Sequence, residues 1–182
     1  MRNSSPSDTS MTADDAILIA FGANLPTEEY GAPAQTLKAA LRRLAKNGDI
    51  SIDQVSSFYE TAPVPISDQP WYVNGVARIS TGLSAHDLLL RLHDVEAEFG
   101  RVRRERNAAR VIDLDLIAYG RELVCEEGGI QVPHPRMAER AFVLLPLRDV
   151  VADWVHPVLN RTVDDLISDL PADQQIRKQT NG

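Results

Sequence analysis

Two aspartates stand two positions apart in an otherwise apolar stretch of the chain. Asp113 and Asp115 lie within residues 110–119, among Val, Ile, Leu and Ala. Successive side chains of a strand alternate between its faces, so both carboxylates are predicted to project from one face, roughly 6 to 7 Å apart. Like charges on one face repel unless a cation or hydrogen-bond donors lie between them. A divalent metal meets this need, because carboxylate oxygens are suitable ligands for Mg2+.

A cluster of arginines leads into the aspartates. The cluster comprises Arg101, Arg103, Arg104, Arg106 and Arg110, with Glu105 as its only acidic neighbour. Guanidinium groups bind phosphate oxygens in pairs, so groups suited to phosphate stand beside carboxylates suited to magnesium. The combination predicts phosphate chemistry. The residues alone leave a second interpretation open, in which one aspartate pairs with Arg110, the other is solvated, and the other arginines form an exposed charged surface.

Composition and charge narrow the classes of function. The chain has 182 residues, of which 43% are hydrophobic, enough for one folded core. A net charge of -7 argues against a general nucleic-acid binder or a membrane-surface binder, because both need excess positive charge. No apolar run approaches the ~18 residues that would span a bilayer. Cys125 is the only cysteine, which excludes an internal disulfide and is typical of a cytoplasmic protein.

The hydrophobic pattern places the aspartates in the last strand of a larger unit. Before it come a buried strand over residues 17–21, a helix over 36–46, and two strand-rich segments over 50–59 and 72–80. Ser84 is a predicted N-cap for a helix that ends near Phe99, before Gly100. This order predicts an α+β, ferredoxin-like βαββαβ sandwich, with helices on one face of an antiparallel sheet.

The predicted domain covers residues 16–171, including a C-terminal extension beyond the sandwich. Residues 1–15 are rich in Ser, Thr and Asp, so they predict a disordered tail, and residues 172–182 are predicted to form a flexible one. Two prolines in the segment 61–65 exclude regular strand pairing there. We therefore expect an exposed, stiff loop that is suited to binding.

Six short blocks of sequence carry a family resemblance over residues 17–170. They are Phe21-Gly22-Ala23-Asn24-Leu25, Ser56-Ser57-Phe58-Tyr59-Glu60-Thr61, Asp68-Gln69-Pro70 with Tyr72 and Asn74, Gly100-Arg101-Val102-Arg103, Asp113-Leu114-Asp115, and Val132-Pro133-His134-Pro135-Arg136 followed by Arg140-Ala141-Phe142. In type, order and spacing they resemble the hydroxymethyl-dihydropterin pyrophosphokinases of folate biosynthesis. The resemblance implies transfer of a pyrophosphoryl group from ATP to the pterin hydroxymethyl group, with release of AMP and with two Mg2+ ions.

The resemblance also assigns roles to charged residues. Asp113 and Asp115 would hold the metal ions, and Arg101 and Arg110 would act with them in catalysis. The implied ATP-binding residues are His93, Glu96, Arg103, Arg110, Leu116, His134 and Arg140. The commonest family form reads Arg-Trp-Gly-Pro-Arg where this chain has Arg106-Asn107-Ala108-Ala109-Arg110. The resemblance implies that this arginine-rich loop closes over ATP as a lid. Without the Trp, the closed lid lacks a large apolar anchor.

A pterin pocket should offer aromatic faces for stacking and polar groups for the amide-like edge of the ring. Tyr72 and Phe142 are predicted to supply the faces, and Asn74 supplies both a donor and an acceptor. Main-chain groups are predicted to complete the edge, from Thr61, Ala62, Pro63 and Val64. Trp71 competes with Tyr72 for stacking. Tyr72 is preferred because it keeps the family's spacing to Asn74 and shares its strand face.

Two other classes of function are weighed against this one. A metal-dependent nucleotidyltransferase acting on nucleic acid would need a broad basic surface, against which the acidic net charge argues. A binding module without catalysis would need no carboxylate pair beside clustered arginines. The predicted partners are ATP and hydroxymethyl-dihydropterin, without nucleic acid or membrane. A monomer is expected, and association with other folate-pathway enzymes is compatible with it.

Overall fold

The computed structural model describes residues 12–63, 65–100 and 110–180. The strands are β1 (Ile17–Ala23), β2 (Ile50–Val55), β3 (Tyr59–Thr61), β4 (Tyr72–Thr81), β5 (Asp113–Tyr119), β6 (Val124–Cys125), β7 (Gln131–Val132) and β8 (Ile176–Lys178). The α-helices are α1 (Pro33–Ala45), α2 (Ala85–Glu98), α3 (Ala141–Val150) and α4 (Val163–Ser168), and short 3-10 turns cover Ala13–Asp15 and Met137–Glu139. None of the described helices is long and apolar enough to cross a membrane.

The main sheet is antiparallel and follows the predicted βαββαβ order, except that the strand predicted over 50–59 is divided into β2 and β3, which both pair with β4. Its strands run β5, β1, β4, β3, β8, and β2 pairs with the part of β4 beyond β3. The β6–β7 hairpin forms a separate small sheet. The ferredoxin-like prediction is confirmed, and β5 is the edge strand on one side of the described sheet. The strand of the two aspartates therefore has a neighbour, β1, along only one of its edges.

Helices cover both faces of the sheet, so the prediction of helices on one face holds for α1 and α2 but not for α3 and α4, which pack on the other face. Ile17, Ile19 and Phe21 of β1 join the core under α1 and α2. Leu18 points the other way, into a second core built with α3 and α4. Side chains of a strand alternate in direction, so one apolar strand serves both cores. We call the two sides the α1/α2 face and the α3 face.

Helix α2 begins and ends as its sequence predicts. The Ser84 hydroxyl accepts a hydrogen bond from the amide of Asp87 at 3.1 Å, which satisfies one of the free donors of the first turn. Leu88, Leu92 and Val95 are buried at helical spacing. Gly100 follows with φ of 81°, a conformation that glycine adopts without steric cost.

Helix α1 begins three residues before its predicted start, at Pro33, because proline is well suited to the first turn, where its missing N–H costs nothing. The apolar run from Ala141 forms α3. Thr162 caps α4 through a reciprocal pair of hydrogen bonds with Asp165.

The prediction of a flexible tail over residues 172–182 is wrong for its central part. Ile176–Lys178 form β8, which pairs with β3 in antiparallel register. The pattern of this segment is polar and short, so its stability comes from the main-chain hydrogen bonds that β3 offers at its outer edge. In the predicted N-terminal tail, residues 1–11 lie outside the described residues, and Ala13–Asp15 form a 3-10 turn.

Candidate active site

Three adjacent strands bring the carboxylates and the predicted pterin-binding amide onto one face. In the β-sheet register, Gly22 of β1 lies opposite Asp113 of β5 on one side and opposite Asn74 of β4 on the other. Ala20 lies opposite Asp115 in the same way. Residues directly opposite each other in a sheet project from the same face. Asp113, Asp115 and Asn74 therefore all lie on the α3 face.

Gly22 makes room for the Asn74 side chain. A Cβ atom on residue 22 would stand 2.6 Å from Oδ1 of Asn74, closer than non-bonded atoms approach. Asn74 is buried, and its Nδ2 donates to Oγ1 of Thr61 at 2.7 Å. The amide is thus fixed by Thr61 and by the space above Gly22. The buried polar pair forms the floor of a site on the α3 face.

Arg110 pairs with the first aspartate. Its Nη1 donates to Oδ2 of Asp113 at 2.6 Å, and both side chains are half-buried. The interpretation in which Arg110 neutralises one aspartate is therefore observed for Asp113. The pair is compatible with metal binding as well, because a carboxylate has further lone pairs and because arginine can turn toward phosphate.

Asn24 is a site residue that the sequence analysis did not single out. Its side-chain Oδ1 accepts a hydrogen bond from the main-chain amide of Arg110 at 2.8 Å, and its main-chain amide donates to the Arg110 carbonyl at 3.0 Å. Its Nδ2 donates to the Pro70 carbonyl at 3.1 Å. Asn24 is buried, so these bonds hold the Arg110 backbone next to the loop before β4. The available signal was an amide at the end of a buried strand, inside a block that resembles the family.

The carboxylate pair suits magnesium. Both side chains are half-buried on one face, and oxygen ligands are those that Mg2+ prefers. Among the described residues, no three His, Cys, Asp or Glu side chains form a cluster that could hold a metal ion alone. Magnesium commonly takes one or two carboxylates and completes its shell with water and substrate phosphates. The residues present therefore fit an ion that binds together with a phosphate ligand.

Arg140 lies within the electrostatic field of both aspartates. Burial lowers the pKa of its guanidinium and Arg136 lowers it further, whereas Asp115 and Asp113 raise it. The guanidinium carbon lies 5.4 Å from the ring centre of Phe142. An arginine stays charged in proteins even when partly buried, so the Arg140 guanidinium can bind an anionic ligand.

His134 is neutral at pH 7 and joined to the strand of the aspartates. Burial, with help from Arg140 and Arg136, lowers its pKa from 6.5 to about 4, although Asp113 acts in the opposite direction. Its amide donates to the Ile117 carbonyl of β5 at 2.8 Å, and its Nδ1 accepts from the Arg136 amide at 3.2 Å. Because Nδ1 accepts, the ring proton is assigned to Nε2, which is left as a donor.

Replacing His134 with glutamine should remove part of the loss of stability on acidification. Between pH about 4 and 6.5 the unfolded chain binds a proton at His134 that the folded chain does not. The stability contributed by the neutral imidazole is therefore complete above about 6.5 and is lost as the pH falls toward about 4. Thermal melts of the ligand-free protein should show the wild-type melting temperature falling relative to His134→Gln across this window.

The control for this prediction is His86→Gln, because His86 is exposed on α2. The gap between wild type and His134→Gln should be constant from pH ~7 to 8. A gap that also stays constant down to pH ~4.5, or that widens in favour of the wild type, would show that the imidazole is not held neutral.

The residues predicted to bind the pterin gather beside Asn74. Thr61 and Pro63 are buried, Ala62 and Tyr72 are half-buried, and Thr61 lies opposite Tyr72 in the pairing of β3 with β4. Burial raises the pKa of the Tyr72 hydroxyl, while Arg110 lowers it, which places this ring near the arginine. Val64 lies outside the described residues.

The two remaining aromatic candidates differ in their surroundings. The Phe142 ring, half-buried at the start of α3, has the Arg140 guanidinium over it. The Trp71 ring carries the Arg177 guanidinium, 4.8 Å from its centre, and is 38% exposed. One face of Trp71 is therefore occupied, and Trp71 precedes β4, whereas Tyr72 is in regular strand register with Asn74. These facts favour Tyr72 over Trp71 for stacking.

The residues predicted to bind ATP fall on two sides of β5. Arg110 pairs with Asp113, and His134 and Arg140 lie within electrostatic range of the carboxylates. Leu116 is buried in the core of the α1/α2 face, and His93 and Glu96 belong to α2 on that side. Glu96 is buried, and its Oε1 accepts from the Leu114 amide of β5 at 2.6 Å. Glu96 and His134 thus bond to the β5 main chain, and the predicted residues flank this edge strand from both faces.

The described residues hold only part of the arginine cluster. Arg101, Arg103, Arg104 and Arg106 lie outside them, as do Asn107, Ala108 and Ala109, where the sequence departs from the common family form. The roles predicted for Arg101 and Arg103 therefore stay predictions. Arg110 is the member of the cluster that the structure describes.

A mostly apolar cavity of about 380 Å³ has His134 as one of its lining residues. Its walls include Leu123, Val132 and Val158, and none of its lining residues is Asp, Glu, Lys or Arg. A triphosphate needs cationic partners. The phosphate chemistry is therefore expected at the carboxylates and arginines rather than in this cavity.

Comparison with known proteins matches this chain to one family. Residues 18–152 match the family described as 7,8-dihydro-6-hydroxymethylpterin-pyrophosphokinase (HPPK). A 2-amino-4-hydroxy-6-hydroxymethyldihydropteridine pyrophosphokinase of Haemophilus influenzae is 41% identical over 139 residues, which are 76% of this chain and 83% of that protein. The family match over residues 18–152 includes Asn74, both aspartates and Arg140.

Longer relatives contain the same region. Folic acid synthesis protein FOL1 of Dictyostelium discoideum is 35% identical over 171 residues, which are 94% of this chain but 25% of that protein. The chain thus spans about a quarter of that relative's length. The crystal structure of a Plasmodium falciparum HPPK-DHPS shares the fold with a TM-score of 0.63 and 13% identity, over 84% of this chain and 45% of that one.

Proposed function

The chain belongs to the 7,8-dihydro-6-hydroxymethylpterin-pyrophosphokinase family, and on that premise we propose that it transfers pyrophosphate from ATP to 6-hydroxymethyl-7,8-dihydropterin in folate biosynthesis. The products are AMP and the pterin diphosphate. One observation carries the proposal: Asp113 and the pterin-directed amide of Asn74 stand on either side of Gly22, on one face of the sheet. The residue proposed to bind metal is on β5 and the residue proposed to bind the heterocycle is on β4, with only β1 between them.

The reaction breaks one phosphorus–oxygen bond and forms another. The pterin hydroxyl oxygen bonds to the β-phosphorus of ATP and releases its proton to solvent, while the bond from that phosphorus to the oxygen on the α-phosphorus breaks. AMP leaves with that oxygen. Such a transfer depends mainly on positioning and on stabilising negative charge. Arg110 and Arg140 supply charge near the transferring phosphates, and neutral His134 donates from Nε2 to a phosphate oxygen.

Asp113 and Asp115 would hold two Mg2+ ions together with ATP oxygens. When bound, the metal supplies charge neutralisation on the phosphates and lowers the pKa of a coordinated hydroxyl. In the ligand-free protein Arg110 balances Asp113. With a triphosphate bound, the Arg110 guanidinium would exchange its carboxylate partner for a phosphate oxygen, because guanidinium groups bind both kinds of anion.

ATP is proposed to run along the open edge of β5. The Glu96 side chain of α2 and the main-chain amide of His134 both bond to the main chain of this strand, which supports a ligand that lies along β5 between the two residues. His93, Glu96 and Leu116 then belong to the nucleoside end, and His134, Arg140 and Arg110 to the phosphate end. The pterin occupies the α3 face, between Tyr72 and Phe142, with its edge at Asn74 and the segment around Thr61.

Two observations weigh against the rival classes. A nucleotidyltransferase acting on nucleic acid needs a broad basic surface, and the chain carries a net charge of -7. A binding module without catalysis has no need for a carboxylate pair beside Arg110 and Arg140. Isothermal titration separates the classes: an ATP analogue with Mg2+ should bind, and its presence should strengthen pterin binding. Pterin affinity that is the same with and without the analogue would favour the binding module. Affinity for nucleic acid instead of pterin would favour the nucleotidyltransferase.

Replacing Asn74 with alanine should weaken pterin binding by ~1 to 3 kcal/mol while ATP-analogue binding barely changes, because a buried heterocycle edge loses its partner and cannot recover water. Gly22→Ala should reach the same result by another route, since its Cβ would displace the Asn74 amide. Calorimetry gives both affinities, and thermal melts report folding. The matched control is Gly82→Ala, because a Cβ at Gly82 meets nothing within 4 Å. Unchanged pterin affinity in a folded Asn74→Ala protein would show that the pterin site is elsewhere.

A further inference from the structure

Arg140 occupies the N-cap position of α3 but does not cap the helix. The first amides of a helix lack partners within it, and a Ser, Thr, Asp or Asn side chain at the N-cap usually supplies one. An arginine has no acceptor. Its side chain makes no capping hydrogen bond here, and its backbone is extended, with φ of -116° and ψ of 111°. The capping acceptor must come from elsewhere in the chain.

Gln174 supplies that acceptor. Its Oε1 accepts from the Ala141 amide at 2.8 Å, and its Nε2 donates to the Glu139 carbonyl at 2.8 Å. These main-chain groups belong to the residues on either side of Arg140. One side-chain amide therefore fixes the backbone before and after Arg140, whose guanidinium stands over the Phe142 ring and within electrostatic range of Asp113 and Asp115.

The same segment fixes the other half of the site. Directly after Gln174, the Gln175 carbonyl accepts from the Ala62 amide at 3.1 Å, and Ile176 pairs with Thr61. Thr61 in turn accepts from Asn74. Two adjacent residues thus connect the phosphate-side Arg140 with the pterin-side residues Thr61 and Ala62.

We propose that Gln174 is a positioning residue, which sets the place of the Arg140 guanidinium relative to the pterin site by bonding both of its flanking peptide groups. The inference rests on the proposed function for its meaning in catalysis. What Gln174 is proposed to affect directly is the binding of a triphosphate by Arg140. A small displacement of a charged group in such a site costs much of its effect, because electrostatic stabilisation depends on placement.

The test compares Gln174→Met with Gln175→Met. Methionine keeps the length of the side chain and removes both hydrogen bonds. Gln175 is exposed, and its main-chain carbonyl survives the change, so it is the matched control. We expect Gln174→Met to weaken binding of Mg2+ with a nonhydrolysable ATP analogue by roughly 10-fold and to lower kcat similarly, with little change in the pterin KM. Gln175→Met should match the wild type.

A merely structural role is separated by a double variant. In an Arg140→Ala background, Gln174→Met should cause no further loss of analogue affinity, although it should lower the melting temperature as it does in the wild type. Equal losses in both backgrounds, or wild-type affinity in Gln174→Met, would overturn the proposal. Analogue binding that behaves as expected in a wild-type protein that releases no AMP with pterin would refute the proposed function and uphold the role of Gln174. No analogue binding by the wild type would refute both.

Discussion

Asp113→Asn and Asp115→Asn should each lower pterin-dependent AMP release by at least ~100-fold, the scale on which a preorganised electrostatic contact contributes to a transition state. Asparagine keeps the shape of the side chain and removes the charge that would hold a metal ion. The fold should survive, because both side chains are half-buried on the face of an edge strand. Loss of one of two neighbouring like charges should also relieve repulsion in the metal-free protein.

The control is Asp94→Asn, an exposed aspartate on α2. It carries the same change in charge without touching the proposed metal site, so its activity should equal that of the wild type. Initial rates at saturating Mg2+ and ATP, together with thermal melts, check the prediction. If either Asp113→Asn or Asp115→Asn kept more than about a tenth of the wild-type rate, the assignment of metal ions to this pair would fail.

Arg110→Ala should lower kcat by ~100-fold while changing pterin affinity by less than ~3-fold, because its proposed partner in the transition state is the transferring phosphate. The expected loss appears in kcat and in kcat/KM alike, the signature of an interaction made mainly in the transition state. In the ligand-free protein the variant leaves Asp113 without its 2.6 Å partner. Metal affinity without ATP should therefore rise or stay the same.

Arg121→Ala is the matched control for that variant, because Arg121 is an exposed arginine paired with Asp14 at the far end of β5. Steady-state kinetics with ATP varied at saturating pterin separate kcat from KM. ATP kinetics in Arg110→Ala equal to those of Arg121→Ala would remove Arg110 from the phosphate site and leave it as a structural partner of Asp113.

Local patterns predicted those parts of the fold that local physics determines. Ser84 stands where a helix needs an acceptor, and alternation along a strand places Asp113 with Asp115 on one face. The resemblance of six sequence blocks to one family then predicted that segments distant in sequence contribute to the same site. The pairing of β1 with both β4 and β5 turned these separate predictions into one site.

The parts of the fold and site that were not predicted depend on contacts with residues distant in sequence, which no local pattern indicates. Residues 176–178 are short and polar and become a strand only because β3 presents an unpaired edge. Asn24 and Gln174 matter through main-chain groups of distant residues, Arg110 for the first and Ala141 for the second. A hydrogen bond to a distant backbone leaves no periodicity in sequence, so both residues emerged only from the folded chain.

The central claim is tested most directly by following phosphorus resonances while the protein acts on ATP, with Mg2+ and with or without 6-hydroxymethyl-7,8-dihydropterin. We predict AMP and the pterin diphosphate in equal amounts, at a rate that depends on the pterin and is lost in Asp115→Asn. Formation of ADP would mean transfer of a single phosphoryl group, and AMP formed equally fast without the pterin would mean hydrolysis. Either result would contradict the proposed pyrophosphoryl transfer.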